Sequence, residues 1–193
     1  MEDDSMDINE KVRLVQKKEV ELLKIFSDIC EKNNLTYYAL GGTLLGAIRH
    51  GGFIPWDDDM DLGMPREDYD KFIKIADKEL PEHILLKTHT DNLGNTSIRD
   101  NATVVTFGTT DCNPFLDIFP LDGFPDKGFS QWKHEKHILF YRMLSKLSVV
   151  HEISDRDRGK FENALVKVAK VTKIDKFLNT EKINKKLDRK SVV

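Results

Sequence analysis

The stretch Ile54-Pro-Trp-Asp-Asp-Asp-Met-Asp-Leu-Gly-Met64 gathers four aspartates into five positions, 57 to 61, and flanks them with hydrophobic residues. In a strand, side chains alternate between faces, so Asp57, Asp59 and Asp61 share one face and Met60, Leu62 and Met64 the other. In a helix Asp59 and Asp61 would diverge by roughly 200°. The strand reading buries the hydrophobic residues and leaves the acids lining a cleft. Three carboxylates about 7 Å apart repel one another, and a divalent cation is the natural compensation; hard oxygen ligands favour Mg2+ or Mn2+. A solvated strand edge or an acidic turn accounts for the same residues without a ligand. A calcium loop does not, because Leu62 stands at its glycine position, Asp68 at its terminal glutamate position, and Pro65 opens a helix inside it.

Upstream, Lys18 to Asn34 spaces Leu22, Leu23, Phe26, Ile29 and Cys30 by three and four residues, a buried helical stripe that Asn33 and Asn34 stop. "LTYYAL", 35–40, reads as a strand running into Gly41, Gly42 and Thr43 and then a short helix through Ile48. Glycines permit close backbone approach, and the free N–H groups of the helix start suit a phosphate. A phosphate beside paired acids implies a bridging metal. Arg49 and His50, between the turn and the acids, could neutralise donor phosphates or simply lie on the surface. Trp56 and Phe53 could stack on a base or face a quaternary ammonium, with buried packing beside the acid strand as the competing role.

Downstream, Pro65, Glu67 and Asp68 open a helix whose face is Tyr69, Phe72, Ile73 and Ala76, and Pro81 ends the unit. Short strands are expected at 83–88, 97–105 and 115–119, and loop at 120–128. Beyond Ser130 the pattern is helical over 131–150 and 160–178, followed by a short polar end. The expected fold class is α+β: a small mixed sheet with flanking helices over 1–128, and a helical C-terminal segment, 129–193, packed on it.

At 193 residues the chain has room for one substantial core. No apolar run approaches the roughly 18 residues of a membrane span, and the acidic start "MEDDSMD" lacks a signal-peptide layout, so the expected location is cytoplasmic. The net charge of −3 is uneven: 18 basic against 26 acidic residues up to 150, then 12 against 7. The basic tail suits an anionic inner-membrane surface or is a solvated face. Nucleic acid is not expected as a partner, because the part carrying the acids is itself acidic. Cys30 and Cys112 form no close-spaced metal pair, and Cys30 falls on the buried helical stripe. His134 and His137 lack a third ligand at a useful spacing and are assigned no metal.

The glycine turn, followed about sixteen residues later by Asp-apolar-Asp, resembles the nucleotidyltransferase fold. "GGTLLGAIRHGGFIPWDDDMDLGMPREDYDKF", 41–72, with "FLDIFPLDG", 115–123, is similar more closely to the LicD family, which includes bacterial phosphocholine transferases and is related to the fukutin group. The resemblance, over about residues 20 to 125, implies transfer of phosphocholine or another phosphoalcohol from a cytidine diphosphate donor such as CDP-choline to a sugar hydroxyl of a surface glycan. It implies Mg2+ or Mn2+ on Asp59 and Asp61, with Asp117 as third carboxylate and general base. A strand-end Asp117 bonded to loop backbone is the plainer alternative. Gly41, Gly42, Thr43, Arg49, His50, Trp56 and, from an inner strand, Arg99 are then the substrate-binding candidates. Asp57 would be an outer-sphere ligand or a loop cap, Asp58 structural, and Asp122 a turn residue. Members of that family are usually longer, with a Tyr-Gly-Asp-type segment toward the C-terminus. The expectation that follows is donor and metal binding by these residues, with transfer the more sensitive step. A nucleotidyltransferase moving a nucleoside monophosphate, and a nucleotide- and metal-binding module without turnover, stand as alternatives.

Overall fold

The computed structural model describes residues 7–88, 96–107, 110–125, 128–149, 170, 172 and 178–191. Helix α1, Ile8–Lys32, begins ten residues before the expected stripe and buries Val15, Glu19, Leu22, Phe26, Ile29 and Cys30. It ends at the expected asparagines. Asn34 takes φ 52°, the amide of Leu35 reaches back to the carbonyl of Cys30 (2.8 Å) and that of Asn34 to Glu31 (3.2 Å), a left-handed helix stop.

Next come β1 (Tyr38–Ala39), α2 (Gly41–His50), β2 (Asp61–Pro65), α3 (Arg66–Glu79), β3 (Ile84–Lys87), β4 (Thr96–Asp100), β5 (Val105–Phe107), β6 (Thr110–Cys112) and β7 (Phe115–Leu121). Among the described residues α4 (Phe129–Ser148) and α5 (Thr180–Ser191) follow. The expected strand at 97–105 is two elements. Asp100 breaks it by accepting hydrogen bonds from the Ala102 amide (2.9 Å) and the Thr103 hydroxyl (2.6 Å), an Asx turn. β7 runs two residues into the expected loop, to Leu121. The expected short polar end is helix α5, whose first turn is capped by the Asn179 side chain on the Lys182 amide (2.8 Å). Most of the helix expected at 160–178 lies outside the described residues.

The main sheet has the order β1-β2-β7-β4-β3, with β2 and β7 parallel and the other neighbours antiparallel; β5 and β6 form a separate hairpin. This is the expected mixed α+β sheet. One face carries Leu62, Met64, Leu116, Ile118 and Ile98, which α1 and α3 cover with Leu22, Phe26, Tyr69 and Phe72. Phe26 is the centre of that cover, edge-on to both Tyr37 (5.1 Å) and Phe72 (5.0 Å). The chain divides into two compact units, Met1–Leu121 and Asp122–Val193. In the second, α4 and α5 share a polar contact in which Ser145 donates to Asn184 (2.7 Å).

Phe26 is fully buried and meets two aromatic rings, so Phe26→Ala is expected to lower the unfolding free energy by about 3–5 kcal/mol in urea titration. A loss under about 1 kcal/mol would contradict this packing.

Candidate functional site

Strand β2 begins only at Asp61, so Asp57, Asp58 and Asp59 lie in the irregular segment before it. Met60, Leu62 and Met64 are buried as expected, while Asp57 and Asp61 are half-buried and Asp58 and Asp59 exposed; the shared strand face expected for Asp57, Asp59 and Asp61 does not form, because only Asp61 lies in the strand. Register then brings the next acid alongside. Asp61 pairs with Asp117 of β7, and Asp117 with Ser97 of β4, so these three residues form a row across the face opposite the core. Arg99, two residues on from Ser97, shares that face, donates to the Ser97 hydroxyl (3.1 Å) and lies over the Phe115 ring at 5.1 Å.

Backbone contacts on both sides fix Asp61. Its amide donates to the Thr43 hydroxyl (2.9 Å), its carbonyl accepts from Leu40 (3.0 Å), and the Asp117 amide donates to the preceding carbonyl, Met60 (2.9 Å). The glycine turn is where the acids rest. A Cβ on Gly42 would lie 2.6 Å from Asp57 Oδ2, and one on Gly41, whose φ is +47°, 3.5 Å from Asp61 Oδ2. The turn therefore has two carboxylates against the first turn of α2, where its free N–H groups and positive dipole end are favourable for negative charge. A phosphate approaching this turn would meet carboxylates as well as amides, a repulsion that a cation between them would offset.

Crowding shows in the acidities. The carboxyl of Asp61 is held above the usual range, first by partial burial and then by Asp117 and Asp57. Asp59, although exposed as a residue, is also raised, by desolvation of its carboxyl and then by Asp61, Asp57, Asp58 and Asp117. The strongest effect falls on a residue that sequence reasoning missed. Glu19 of α1 is fully buried, neither carboxyl oxygen has a hydrogen-bond partner, and its pKa is pushed up to about 9 by burial and then by Asp59, Asp58, Asp57 and Asp61. A signal was present: Glu19 falls at the helical phase between Val15 and Leu22, where an acid is out of place.

The other candidates are dispersed. Arg49 and His50 sit exposed in the last turn of α2, roughly 12 Å along the axis from Gly41, with the Arg49 Nε directed at His50 Nδ1 (3.5 Å). Trp56 is 74% exposed, so it does not take the packing role; Phe53 does, partly buried against the core. Trp56 sits at the centre of the turn before the acids, closed by the Asp57 amide on the Ile54 carbonyl (3.0 Å). Asp68 is engaged with the Thr36 amide (3.0 Å) and Lys71 (3.1 Å). Cys30 is buried and its thiol pKa pushed up to about 12, an inert core residue. His134 packs edge-on against Phe124. Asp122 follows β7 directly.

Among the described residues, no three His, Cys, Asp or Glu side chains converge as ready-made metal ligands. In chemistry the donors nonetheless suit a hard divalent cation: oxygen atoms only, from neighbouring carboxylates whose partial burial and then mutual repulsion raise their proton affinity. No described helix is long and apolar enough to cross a membrane.

A short sheet that sets adjacent-strand carboxylates beside a glycine turn is the arrangement of a nucleotidyltransferase-type domain. Residues 34–168 match the family described as LicD/FKTN/FKRP, nucleotidyltransferase domain, and the chain belongs to the LicD family. It is 40% identical over 114 residues to the lipopolysaccharide cholinephosphotransferase LicD of Haemophilus influenzae, 56% of this chain and 43% of that protein. It is 44% identical over 68 residues to an uncharacterized protein of Rickettsia typhi, 34% of this chain and 22% of that one. To the human ribitol 5-phosphate transferase FKRP it is 52% identical over 40 residues, 21% of this chain and 8% of that protein. The chain thus spans less than half the length of each of these curated relatives.

Two outcomes are expected. Gly42→Ala should displace the Asp57 carboxylate yet change stability by less than about 1 kcal/mol in chemical unfolding, because its Cβ would meet only the far end of that side chain and Ala is the better helix former. For Glu19, a folded pKa above the unfolded one makes the ionised form a cost to the native state. Its stabilising proton is present below about 4.5 and lost as pH rises toward about 9. Wild-type stability relative to Glu19→Gln should therefore fall across that window; a parallel pH dependence of the two proteins would contradict the burial of an unpaired acid.

Proposed function

We propose that the chain carries the donor site of a metal-dependent phosphoalcohol transferase, with phosphocholine from CDP-choline as the transferred group and a sugar hydroxyl of a surface glycan as acceptor. The observation that carries this reading is the register of Asp61 with Asp117, next to Asp59 and the glycine turn, in a chain of the LicD family. The similarity to a lipopolysaccharide cholinephosphotransferase supports the choice of alcohol and acceptor.

In this reading Asp59 and Asp61 hold Mg2+ or Mn2+, with Asp117 as the third carboxylate. When bound, the cation supplies positive charge to the diphosphate and to the developing charge on the leaving group. Thr43 keeps Asp61 in place through the hydrogen bond to its amide, and Gly41 and Gly42 leave room for the carboxylates at the helix start. Asp117 takes the proton of the attacking hydroxyl. The hydroxyl oxygen bonds to the choline-bearing phosphorus, the bond from that phosphorus to the bridging oxygen breaks, and cytidine monophosphate leaves. Arg99, on the same sheet face, is the cation nearest in register to this row and is assigned to the donor phosphate. Trp56, exposed beside the acids, is assigned to the cytosine or the choline ammonium. Arg49 and His50, at the far end of α2, are assigned a weaker, rim role. The basic tail is assigned to an anionic inner-membrane surface of the cytoplasm, where a lipid-linked glycan would be met.

The match to a ribitol 5-phosphate transferase favours one second reading, in which the alcohol is a sugar alcohol and the donor site is otherwise unchanged. Release of cytidine monophosphate from CDP-choline and from CDP-ribitol, each with Mg2+, separates the two. Asp59→Asn and Asp61→Asn should each reduce release at least about 100-fold. Both should also raise the melting temperature of metal-free protein, because each removes a charge whose folded pKa is raised. Wild-type release by either variant would exclude the assignment.

A further inference from the structure

Helix α1 divides its buried face. Leu22, Phe26, Ile29 and Cys30 pack into the core, whereas Gln16 and Glu19, three residues apart and so on one side of the helix, face the acid-bearing segment. The Gln16 side-chain nitrogen donates to the carbonyl of Ile54 (3.2 Å) and to that of Asp57 (2.7 Å). Both acceptors are carbonyl oxygens, so only the amide nitrogen, with its two hydrogens, satisfies them together. The two residues it joins are the ends of one turn, closed by the Asp57 amide on the Ile54 carbonyl (3.0 Å), with Pro55 and Trp56 at its centre.

From these contacts we propose that Gln16 is a positioning residue for the acid site. It holds the turn Ile54–Asp57 against α1 and so fixes where the irregular segment enters β2. Between that anchor and the Met60 carbonyl, which the Asp117 amide holds (2.9 Å), residues 58 and 59 lie outside any strand ladder. The consequence reaches the carboxylates in two ways. Asp57 leaves the turn with its Oδ2 close over Gly42, which sets the distance between the turn and α2. Asp59 follows two residues later, and its coupling to Asp61 depends on the path between them. The hydrogen bonds run between residues 38 and 41 positions apart, so they tie the N-terminal half of α1 to the site rather than stabilising the helix itself. The role rests on the reading of Asp59 and Asp61 as cation ligands, while the loop it holds does not.

The test uses the full chain with Gln16→Leu, and Gln16→Met, closer in shape, should the first not fold. Three quantities are read: amide hydrogen exchange of 54–61 against 62–72, the urea midpoint, and Mn2+ affinity by titration calorimetry. Loss of the anchor should raise exchange in 54–61 at least tenfold, leave 62–72 unchanged, and weaken Mn2+ binding about tenfold, the scale of outer-sphere substitutions at metal sites. A purely structural residue would lower the urea midpoint and leave the Mn2+ affinity of the folded protein untouched, which overturns the proposal. Unchanged exchange in 54–61 overturns it as well. If wild-type protein binds no Mn2+, the cation reading fails, and the exchange difference alone decides whether Gln16 holds the turn.

Discussion

The pairing of Asp61 with Asp117 on adjacent parallel strands is the constraint around which this domain is organised. Strands lie about 4.8 Å apart, so in-register acids on one face cannot avoid each other. Moving either strand by one residue would bury the acids and expose Leu62 and Ile118, which are fully packed on the other side. The hydrophobic core therefore enforces the electrostatic strain: the burial of Leu62, Met64, Leu116 and Ile118 holds the register in which the carboxylates are crowded. Asp61 cannot retreat along its own backbone either, since Thr43, Leu40 and the neighbouring Asp117 amide fix its surroundings.

The same economy appears in α1, one helix serving two purposes. Its C-terminal half completes the core through Phe26, and its N-terminal half supports the segment that carries Asp57 to Asp59. Glu19 is the cost of that arrangement. A fully buried acid without a partner keeps its proton, and a neutral Glu19 adds no further charge to the four aspartates near it. Functional sites commonly concentrate groups whose acidity is displaced in this way. Here Asp61, one of the displaced groups, is also the residue that register and turn geometry set beside other carboxylates.

Much of this was legible in the residues. Alternation from Met60 to Met64 determines which side of β2 is buried, and three- and four-residue spacing does the same for α1 and α3. Asp117 was legible only with the family resemblance, because nothing local in "FLDIF" says which strand β7 will pair with. Its partnership with Asp61 is a non-local event. Other features had local signals that competed with stronger ones. The Asx turn at Asp100 was hidden by the β-branched residues after it, and the Asn179 cap by the polarity of α5. Gln16 and Glu19 lie in a polar-looking stretch whose helical phase becomes evident only once Val15 is included in the stripe. The exposure of Trp56 had no sequence signal; a large aromatic beside a core strand ordinarily packs, and the Pro55 turn carries this one outward.

The central claim is that the acids receive the donor's diphosphate only through a cation. The melting temperature of the chain with CDP-choline, measured in Mg2+ and in chelator, tests it most directly. A rise in Mg2+ that vanishes in chelator, with cytidine alone giving little in either, is the expected result, since ligand that binds only the folded state stabilises it by mass action. Equal stabilisation by CDP-choline in chelator would contradict the account, because it would mean that the phosphates are held away from Asp59, Asp61 and Asp117.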